Sequence, residues 1–392
     1  MKEVYIVSAT RTPMGSFGGM LAGISATSLG STAIKAALER AGVAAEQVDE
    51  VFMGNVCSAN LGQAPAKQAS LGSGIPNTVP CTTVNKVCSS GMKSIMFGAQ
   101  SIQLGHADII VAGGMESMSN IPYYLPKVRW GLKYGHSEMI DGLQKDGLSD
   151  AYDHQAMGVS ADNTAKKYDI SRETQDEFAI DSYKKAASAT ENGNFKEEIT
   201  PVQIPHRRGE PIVMSEDEEY KNVKFEKIPS LRPVFSKDGT VTAANASTIN
   251  DGASALVLAS EEAVKKFGLK PIAKILSYAD ASHEPTWFTT APTLAAPKAL
   301  KRAGLSKNDM DLYEVNEAFA VVTLAFNKEL DIDPSKVNVN GGAVALGHPL
   351  GSSGSRITTT LIHALHAQNG KYGCATLCNG GGGASAIVVE RL

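Results

Sequence analysis

The stretch Thr83-Val84-Asn85-Lys86-Val87-Cys88-Ser89-Ser90-Gly91-Met92-Lys93 places a cysteine between a strand and a helix. The β-prone residues before it predict a strand, and apolar residues recur at helical spacing from Ile95 to Ile102. Ser89 or Ser90 is a suitable cap for the first helical turn. Unpaired N–H groups and the helix dipole at such a terminus favour thiolate over thiol. We therefore predict that Cys88 is reactive; a buried structural cysteine is the alternative.

Apolar strands and amphipathic helices alternate on both sides of this corner, which predicts a layered α/β fold. In the second half we expect, among other elements, a strand over 312–315, a helix over 317–330 and a strand over 337–339. Gly42 is expected to end the first helix of the chain.

Two pairs of similar segments, in the same order, indicate an internal duplication. Ser89-Ser90-Gly91-Met92-Lys93 resembles Ser352-Ser353-Gly354-Ser355-Arg356, and the strand beginning at Gly252 resembles the one beginning at Gly383. In the first half, a charged and loop-rich interval separates the paired strands, so it reads as an insertion. We predict an N-terminal half over 1–118 plus 248–268, an inserted loop domain over 119–247 and a C-terminal half over 269–392.

Composition sets broad limits on function. The 392 residues are 43% hydrophobic and 20% charged, with a formal net charge of -4, so nothing indicates nucleic acid or an anionic membrane as a partner. The five cysteines are odd in number and sparse, which favours free thiols in a reducing compartment. No apolar run approaches the roughly 20 residues that cross a bilayer. The expected location is therefore the cytoplasm.

Three further stretches combine polar side chains with glycine turns. They are Val315-Asn316-Glu317-Ala318-Phe319, the loop from Asn340 to Pro349 that contains His348, and Cys378-Asn379-Gly380-Gly381-Gly382-Gly383. A loop histidine is a ready acid or base near neutral pH, and glycine N–H groups can form an oxyanion hole. Cys374, Cys378 and His348 fit no usual zinc spacing, and the glycine run is not a nucleotide-binding fingerprint.

The corner from Asn85 to Gly91, Asn316-Glu317-Ala318-Phe319, Gly347-His348-Pro349 and Cys378-Asn379-Gly380-Gly381-Gly382 together resemble the signature set of the thiolases. The resemblance covers nearly the whole chain and is strongest to the biosynthetic, acetoacetyl-CoA type of cytosolic eukaryotic enzymes. It implies the duplicated α/β/α/β/α fold and the reversible condensation of two acetyl-CoA to acetoacetyl-CoA plus CoA. It further implies a homotetramer, a dimer of dimers, that supplies the mevalonate pathway and sterol biosynthesis.

The resemblance also implies a role for each catalytic position. Cys88 takes the acyl group as a thioester, and His348 activates it as general base. Cys378 removes a proton from the methyl of the second acetyl-CoA. Asn316 holds a water that joins His348 in one oxyanion hole, and the N–H groups of Cys88 and Gly380 form the other. The chemistry agrees, because thioester exchange suits sulfur and carbon–carbon bond formation needs a base beside an oxyanion hole.

Coenzyme A and potassium sites follow from the same resemblance. The residues expected around coenzyme A are Leu148, Met157, Tyr183, Asn222, Val223, Lys224, Lys227 and Ser247. Ala156 and Asn222 stand where several relatives have histidine and arginine. The residues expected around potassium are Tyr183, Ala243, Ala244, Ala246 and Val344, whose carbonyl and phenol oxygens suit a hard monovalent cation.

Three competing functions stay open at this point. A degradative 3-ketoacyl-CoA thiolase for longer chains shares the motifs. A ketoacyl synthase shares the architecture, but we expect it to carry a second histidine near Asn316 and to lack Cys378. A non-catalytic acyl-CoA or lipid carrier on the same fold does not need Cys88, His348 and Cys378 intact.

Overall fold

The computed structural model describes residues 2–206 and 209–392, in which strands and helices alternate. The strands are β1 (Val4–Arg11), β2 (Gly15–Ser16), β3 (Glu50–Gly54), β4 (Cys81–Val84), β5 (Ile109–Ser117), β6 (Tyr123–Tyr124), β7 (Ile140–Asp141), β8 (Val202–Ile204), β9 (Ile212–Met214), β10 (Asn250–Ser260), β11 (Ala273–Ser282), β12 (Leu312–Val315), β13 (Tyr372–Asn379) and β14 (Gly383–Arg391). The helices are α1 (Ala26–Ala41), α2 (Pro65–Gly72), α3 (Ser90–Gln103), α4 (Met157–Lys167), α5 (Arg172–Glu191), α6 (Glu261–Phe267), α7 (Pro292–Ala303), α8 (Ala320–Leu330), α9 (Ala343–Leu346) and α10 (Leu350–Gln368).

The large sheet repeats one strand order in its two halves. Its order is β4-β3-β5-β10-β1 in the first half, followed by β11-β14-β13-β12 in the second. The halves meet where β1 pairs antiparallel with β11 through Tyr5–Lys274 and Ile6–Ala273. Counted outward from this boundary, β1, β10, β5 and β3 have counterparts in β11, β14, β13 and β12, whereas β4 has no counterpart strand. The duplication predicted from the sequence matches is therefore visible in the sheet.

The predicted strand at 337–339 is wrong. Only Val337 makes a bridge, to Tyr313 of β12, at the position that β4 occupies in the first half. The next residue, Asn338, has φ of +47° and so leaves the extended region. The second half therefore has a single bridged residue where the first half has a strand.

The helix expected from Glu317 begins three residues later, at Ala320. Phe319 is extended, with φ of -145°, and forms an antiparallel bridge with Ala246 of the inserted segment. Tertiary pairing thus keeps residues 316–319 out of the helix, which leaves Asn316 at the end of β12.

Three apolar clusters divide the two halves into layers. One lies between the first half-sheet and α1 and α2, and another lies between the second half-sheet and α7 and α8. The third surrounds α3 and α10 and takes side chains from both half-sheets, for example Leu258 and Val389. The order of layers is therefore α/β/α/β/α, as the resemblance implied.

The central helices α3 and α10 cross at a pair of glycines that are equivalent in the duplication. A Cβ added to Gly91 would lie 2.6 Å from Oγ of Ser355, and one added to Gly354 would lie 2.4 Å from the backbone nitrogen of Met92. Real Cβ atoms do not come so close, so only glycine permits this crossing. It brings the N-terminal ends of both helices to one place.

The inserted segment leaves and re-enters the sheet at neighbouring strands. Ser117 at the end of β5 pairs with Asp251 near the start of β10. Between them lie α4, α5 and two short hairpins, β6–β7 and β8–β9. We retain 119–247 as the proposed bounds of the loop domain.

Candidate active site

Cys88 lies in a tight corner between β4 and α3. The preceding residue, Val87, has φ of +48°, an outlier for a β-branched side chain. Local hydrogen bonds hold the corner: the Val87 N–H donates to Oδ1 of Asn85 at 3.0 Å, and the Lys86 N–H donates to Oγ of Ser90 at 2.8 Å. The strain is therefore sustained by its surroundings, as at many functional sites.

The expectation that the helix terminus makes Cys88 a thiolate is wrong. Burial raises the pKa of the Cys88 thiol to about 12, and the N–H groups of Gly380 and of Cys88 itself offset this only in part. Desolvation disfavours the charged form more than the helix terminus favours it. Cys88 therefore rests as a thiol and needs a base when it attacks.

His348 lies between α9 and α10, at the N-terminal end of α10. The backbone N–H of His348 donates to Oδ1 of Asn250 at 3.0 Å, and the ring nitrogen Nδ1 lies 2.5 Å from Oγ of Ser353. The Ser353 hydroxyl donates to the carbonyl of Pro349 at 2.9 Å, so its oxygen accepts from Nδ1–H. This assigns the free lone pair to Nε2. Burial, together with the positive charge of Arg356, lowers the pKa of His348 to about 3, so the ring is neutral.

Asn316 stands at the end of β12, beside His348. Its Nδ2 lies 3.5 Å from Nε2 of His348, at the long end of hydrogen-bond range. Its Oδ1 is buried and has no hydrogen-bond partner among the described residues. An amide and an imidazole thus face one spot from two different elements.

Cys378 and Gly380 come from the hairpin that joins β13 to β14. Cys378 is fully buried, and its register partner in β14 is Ala384. Burial, and then the proximity of Cys88, raises the pKa of the Cys378 thiol well above its usual value. Gly380 directs its N–H at the sulfur of Cys88. Both cysteines therefore belong to one site.

A cavity of about 610 Å³ opens over these groups. Its wall includes the predicted residues Cys88, Leu148, Met157, Asn222, Ala243, Ala246, Ser247, His348 and Gly380. Cys378 packs directly behind, in a cluster with Met157, Phe288 and Phe319, which also line the cavity. The arrangement offers a soft nucleophile, an uncharged base and N–H donors in a largely apolar space, which suits acyl transfer.

Residues 4–262 match the N-terminal domain of thiolase, and residues 269–391 match the C-terminal domain. The chain belongs to the thiolase family. The acetyl-CoA acetyltransferase of Schizosaccharomyces pombe is 59% identical over 391 residues, covering 100% of this chain and 99% of the relative. The cytosolic acetyl-CoA acetyltransferase ERG10 of Gibberella zeae is 56% identical over 393 residues, covering 100% and 99%.

A mitochondrial relative and a solved structure extend this similarity. The mitochondrial acetyl-CoA acetyltransferase of Rattus norvegicus is 55% identical over 393 residues, covering 100% of this thiolase and 92% of the relative. The crystal structure of Acat5 thiolase from Ascaris suum in complex with coenzyme A has a TM-score of 0.95 at 51% identity, with 100% of both chains covered.

Several residues expected around coenzyme A lie outside the described wall of the cavity in this thiolase: Tyr183, Val223, Lys224 and Lys227. Tyr183 is buried on α5, whereas Lys224 and Lys227 are exposed. Ala156 bridges to Ser149 just before α4 and is not in the described wall either.

The residues expected around potassium fall in two adjoining places. Tyr183 and Val344 pack in one apolar cluster, and Ala243 and Ala246 line the cavity. Ala244 lies between these alanines and is buried. Among the described residues, no group of three or more His, Cys, Asp or Glu side chains forms a metal site.

Sequence reasoning missed three groups at this site. Ser16 and Phe17 line the cavity from the N-terminal half, and no local pattern marks them. Ser353 orients His348 and could have been suspected from its place five residues later, on the first turn of a helix. Glu116 is buried and accepts N–H bonds from Val56, Cys57 and Gly351, so it ties the segment after β3 to the first turn of α10, close to His348.

A further property is the capacity of the helices to span a membrane. Within residues 2–206 and 209–392, the helices are all too short or too polar to pass through a bilayer.

Proposed function

We propose that this thiolase is an acetyl-CoA C-acetyltransferase, which condenses two acetyl-CoA to acetoacetyl-CoA and CoA in a reversible, two-stage reaction. The observation that carries the proposal is the shared cavity: Cys88, His348 and Gly380 line it, and Cys378 packs behind them. The acetyl-CoA acetyltransferases that it matches over its whole length support the same activity.

In the first stage, Cys88 takes the acetyl group. Its proton passes to Nε2 of His348 as sulfur bonds to the thioester carbon, and the departing CoA sulfur receives that proton. Because the thiol rests protonated and the imidazole rests neutral, proton transfer accompanies attack. The N–H groups of Cys88 and Gly380 point at the reacting sulfur and would hold the oxygen of the tetrahedral intermediate.

In the second stage, Cys378 removes a proton from the methyl of a second acetyl-CoA. Burial raises the pKa of Cys378, so its thiolate is a strong base for a weakly acidic C–H bond. For this, the Cys378 thiol would first pass its proton to the free Nε2 of neutral His348. The resulting Nε2–H and a water on Asn316 would then hold the enolate oxygen. The enolate carbon bonds to the acetyl carbon, the Cys88–carbon bond breaks, and the Cys88 sulfur takes the proton from Nε2 of His348. Cys378 keeps the proton that it removed from the methyl, so both thiols and the neutral imidazole are restored.

Coenzyme A is the carrier in both stages, and the proposed contacts follow the cavity from its base to its mouth. Leu148, Met157, Ser247 and Asn222 line the cavity. The first three would contact pantetheine, and Asn222 would lie nearer the nucleotide. Val223, Lys224 and Lys227 follow Asn222 in sequence and would lie near the nucleotide, where exposed lysines suit phosphate. Tyr183 would support this end of the site through its cluster with Val223. The coenzyme A complex of the Ascaris suum thiolase supports this ligand.

The decisive experiment mixes the enzyme with acetoacetyl-CoA and CoA and follows loss of the enolate absorbance. Cys88→Ala should abolish turnover. Cys378→Ala should still take an acetyl group from acetyl-CoA on Cys88, detected by mass spectrometry, but should no longer catalyse condensation. An acetyl group found on Cys57, Cys81 or Cys374 instead of Cys88 would refute the assignment of the nucleophile. Preference for longer 3-ketoacyl-CoA would indicate the degradative activity, and binding without turnover would indicate a carrier.

We further propose that potassium binds at Tyr183, Ala243, Ala244, Ala246 and Val344. No backbone N–H of the described residues donates to the carbonyls of Ala243, Ala244 or Ala246, so these oxygens are free to face a cation. Carbonyl and phenol oxygens suit such a hard ion. Val344 lies four residues before His348, so the ion would order the catalytic loop.

Exchanging potassium for sodium at equal ionic strength separates this effect from screening. Turnover should be higher in potassium, and Tyr183→Phe should reduce the difference. Equal rates in the two salts would refute the site.

A homotetramer in the cytoplasm is the expected setting. Large apolar side chains are exposed on the segment that follows β6, including Leu125, Trp130 and Tyr134, and burial between subunits would cover them. The Gibberella zeae relative is named as cytosolic, and the product would enter the mevalonate pathway towards sterols. Sedimentation of the wild type against Trp130→Ser tests the assembly, and cell fractionation tests the compartment.

A further inference from the structure

The residues next to the two active-site cysteines are hydrogen-bonded to each other. Ser89 follows Cys88, and Asn379 follows Cys378; the Ser89 hydroxyl donates to Oδ1 of Asn379 at 2.9 Å. Both side chains are buried. One bond thus connects the corner that carries the first thiol to the hairpin that carries the second.

A second connection starts from Lys86, on the other side of Cys88. Its Nζ donates to Oδ1 of Asp280 in β11 at 2.6 Å, to Oγ of Ser385 in β14 at 2.8 Å and to the carbonyl of Ala384 at 3.2 Å. Ala384 is the register partner of Cys378. The ammonium group of Lys86 therefore holds the strand that lies directly beside the second cysteine.

The charges at this second connection are fixed. Burial would raise the pKa of Asp280, but hydrogen bonds from Lys86, Lys93 and Ser385 hold it at about 2, so the carboxylate is ionised at neutral pH. Lys93 binds the other oxygen, Oδ2, at 2.7 Å. A partly buried, hydrogen-bonded ion pair of this kind is stronger than an exposed one, because water and salt screen it less.

The strained residue lies between the two connections. Val87, with φ of +48°, separates Lys86 from Cys88. A backbone conformation that costs about 1–3 kcal/mol persists only where its surroundings enforce it. Lys86 on one side and Ser89 on the other are anchored in this way, and the partners of both lie in the C-terminal half.

We propose that Lys86 and Ser89 are positioning residues that fix the separation between Cys88 and Cys378. The inference deepens the proposed function and rests on it. Acylation needs Cys88 and His348, which is held by α10 and β10. Condensation also needs Cys378 at the α-carbon, so only this stage depends on the distance that the two connections set. A misplacement of about 1 Å can cost on the order of 100-fold.

The test compares Lys86→Met with Lys93→Met as its matched control. Each variant removes one lysine from Asp280, but only Lys86 belongs to the corner and contacts Ala384. Two stages are measured separately: acetylation of Cys88 by acetyl-CoA in a single turnover, by mass spectrometry, and condensation, by acetoacetyl-CoA formed. For Lys86→Met we expect condensation to fall about 100-fold, with acetylation within about threefold of the wild type. Lys93→Met should keep both rates, and Lys86→Arg should restore part of the loss.

Ser89→Ala provides an independent variant, should Lys86→Met not fold, and the same selective loss of condensation is expected. A bifunctional thiol reagent that bridges Cys88 and Cys378 adds a readout other than activity, and its yield should fall in both variants. Equal losses in the two stages, an equal effect of Lys93→Met, or unchanged bridging with unchanged condensation would overturn the proposal. Failure of the wild type to acetylate Cys88 would instead refute the proposed function.

Discussion

Nδ1 of His348 lies 2.5 Å from Oγ of Ser353, and this contact determines which nitrogen of the ring is the base. The serine hydroxyl is already donated to Pro349, so it can only accept from the ring. Without that acceptor, the proton can occupy either nitrogen and the ring can turn.

Ser353→Ala should therefore slow acetylation of Cys88 by about 10- to 100-fold, because misplaced catalytic groups lose rate at this scale. Ser355→Ala is the control, since that hydroxyl lies on the same helix but contacts Ser254 and Ser352. Single-turnover acetylation measures both. Equal rates for the two variants would contradict the role of Ser353.

The charge state of the resting site gives a second prediction. Burial raises the pKa of Cys88 to about 12, and burial with the charge of Arg356 lowers that of His348 to about 3. The thiol is protonated below its value and the imidazole is neutral above its own, so both are uncharged between these limits. Cys88 should give no thiolate absorbance between about pH 5 and pH 9, where an ordinary thiol of pKa about 8.5 would ionise. The difference spectrum between wild type and Cys88→Ser measures this directly, and a titration step near neutral pH would indicate a thiolate–imidazolium pair.

The crossing of α3 and α10 gives a third prediction. Gly354→Ala would place a methyl 2.4 Å from the backbone of Met92, so the helices must separate. We expect a loss of about 1–3 kcal/mol in the free energy of unfolding, measured in urea, since overpacked interiors lose this much. Turnover should fall as well, because both helix ends carry the active site. Gly23→Ala, at a glycine with open space around it, should change stability by no more than about 0.5 kcal/mol.

A buried ion pair network gives the fourth. Arg11 donates to Oε1 of Glu198 and to Oδ1 of Asp217, both at 2.6 Å, and all three side chains are buried. Arg11→Met leaves two carboxylates unpaired and should cost about 3–5 kcal/mol in the free energy of unfolding. Lys265→Met, which breaks the exposed pair with Glu261, should cost no more than about 0.5 kcal/mol. Similar midpoints for the two variants in urea would refute this difference.

The same network bears on coenzyme A. Asp217 precedes Glu219 and Asn222, which line the cavity, so loss of Arg11 releases part of the wall. The KM for acetyl-CoA should rise more in Arg11→Met than in Lys265→Met, as steady-state kinetics would show. An unchanged KM in a folded Arg11→Met variant would show that this network does not hold the wall of the cavity.

Local patterns predicted the elements well where a residue's own neighbours determine its conformation. β12 spans Leu312–Val315 as expected, and Gly42 ends α1 with φ of +64°. Val337-Asn338-Val339 alternates apolar and polar residues as a strand does, yet the left-handed turn at Asn338 prevents one. The duplication was visible because matching segments keep their order, and the same order reappears in the sheet.

Contacts between distant parts of the chain were beyond prediction from local patterns. Arg11 meets Glu198 and Asp217 across 187 and 206 residues, and no periodicity shows such a meeting. The predicted charge state of Cys88 was wrong for a related reason. A helix terminus is a local feature of the sequence, whereas burial, which raises the pKa of the thiol, depends on the whole fold. Lys86 was visible in the decisive stretch, but its partners in β11 and β14 were not.

The two central helices begin beside Cys88 and beside His348, at equivalent places in the duplicated fold. In a pair of identical half-length chains, both helix ends would carry the same side chains. A thiol could then face an imidazole only if each half carried both. Covalent fusion removes this restriction, because a change at one end leaves the other untouched. One continuous polypeptide can therefore keep a symmetric backbone and carry different side chains at the two helix ends, which a homodimer of half-length chains cannot do.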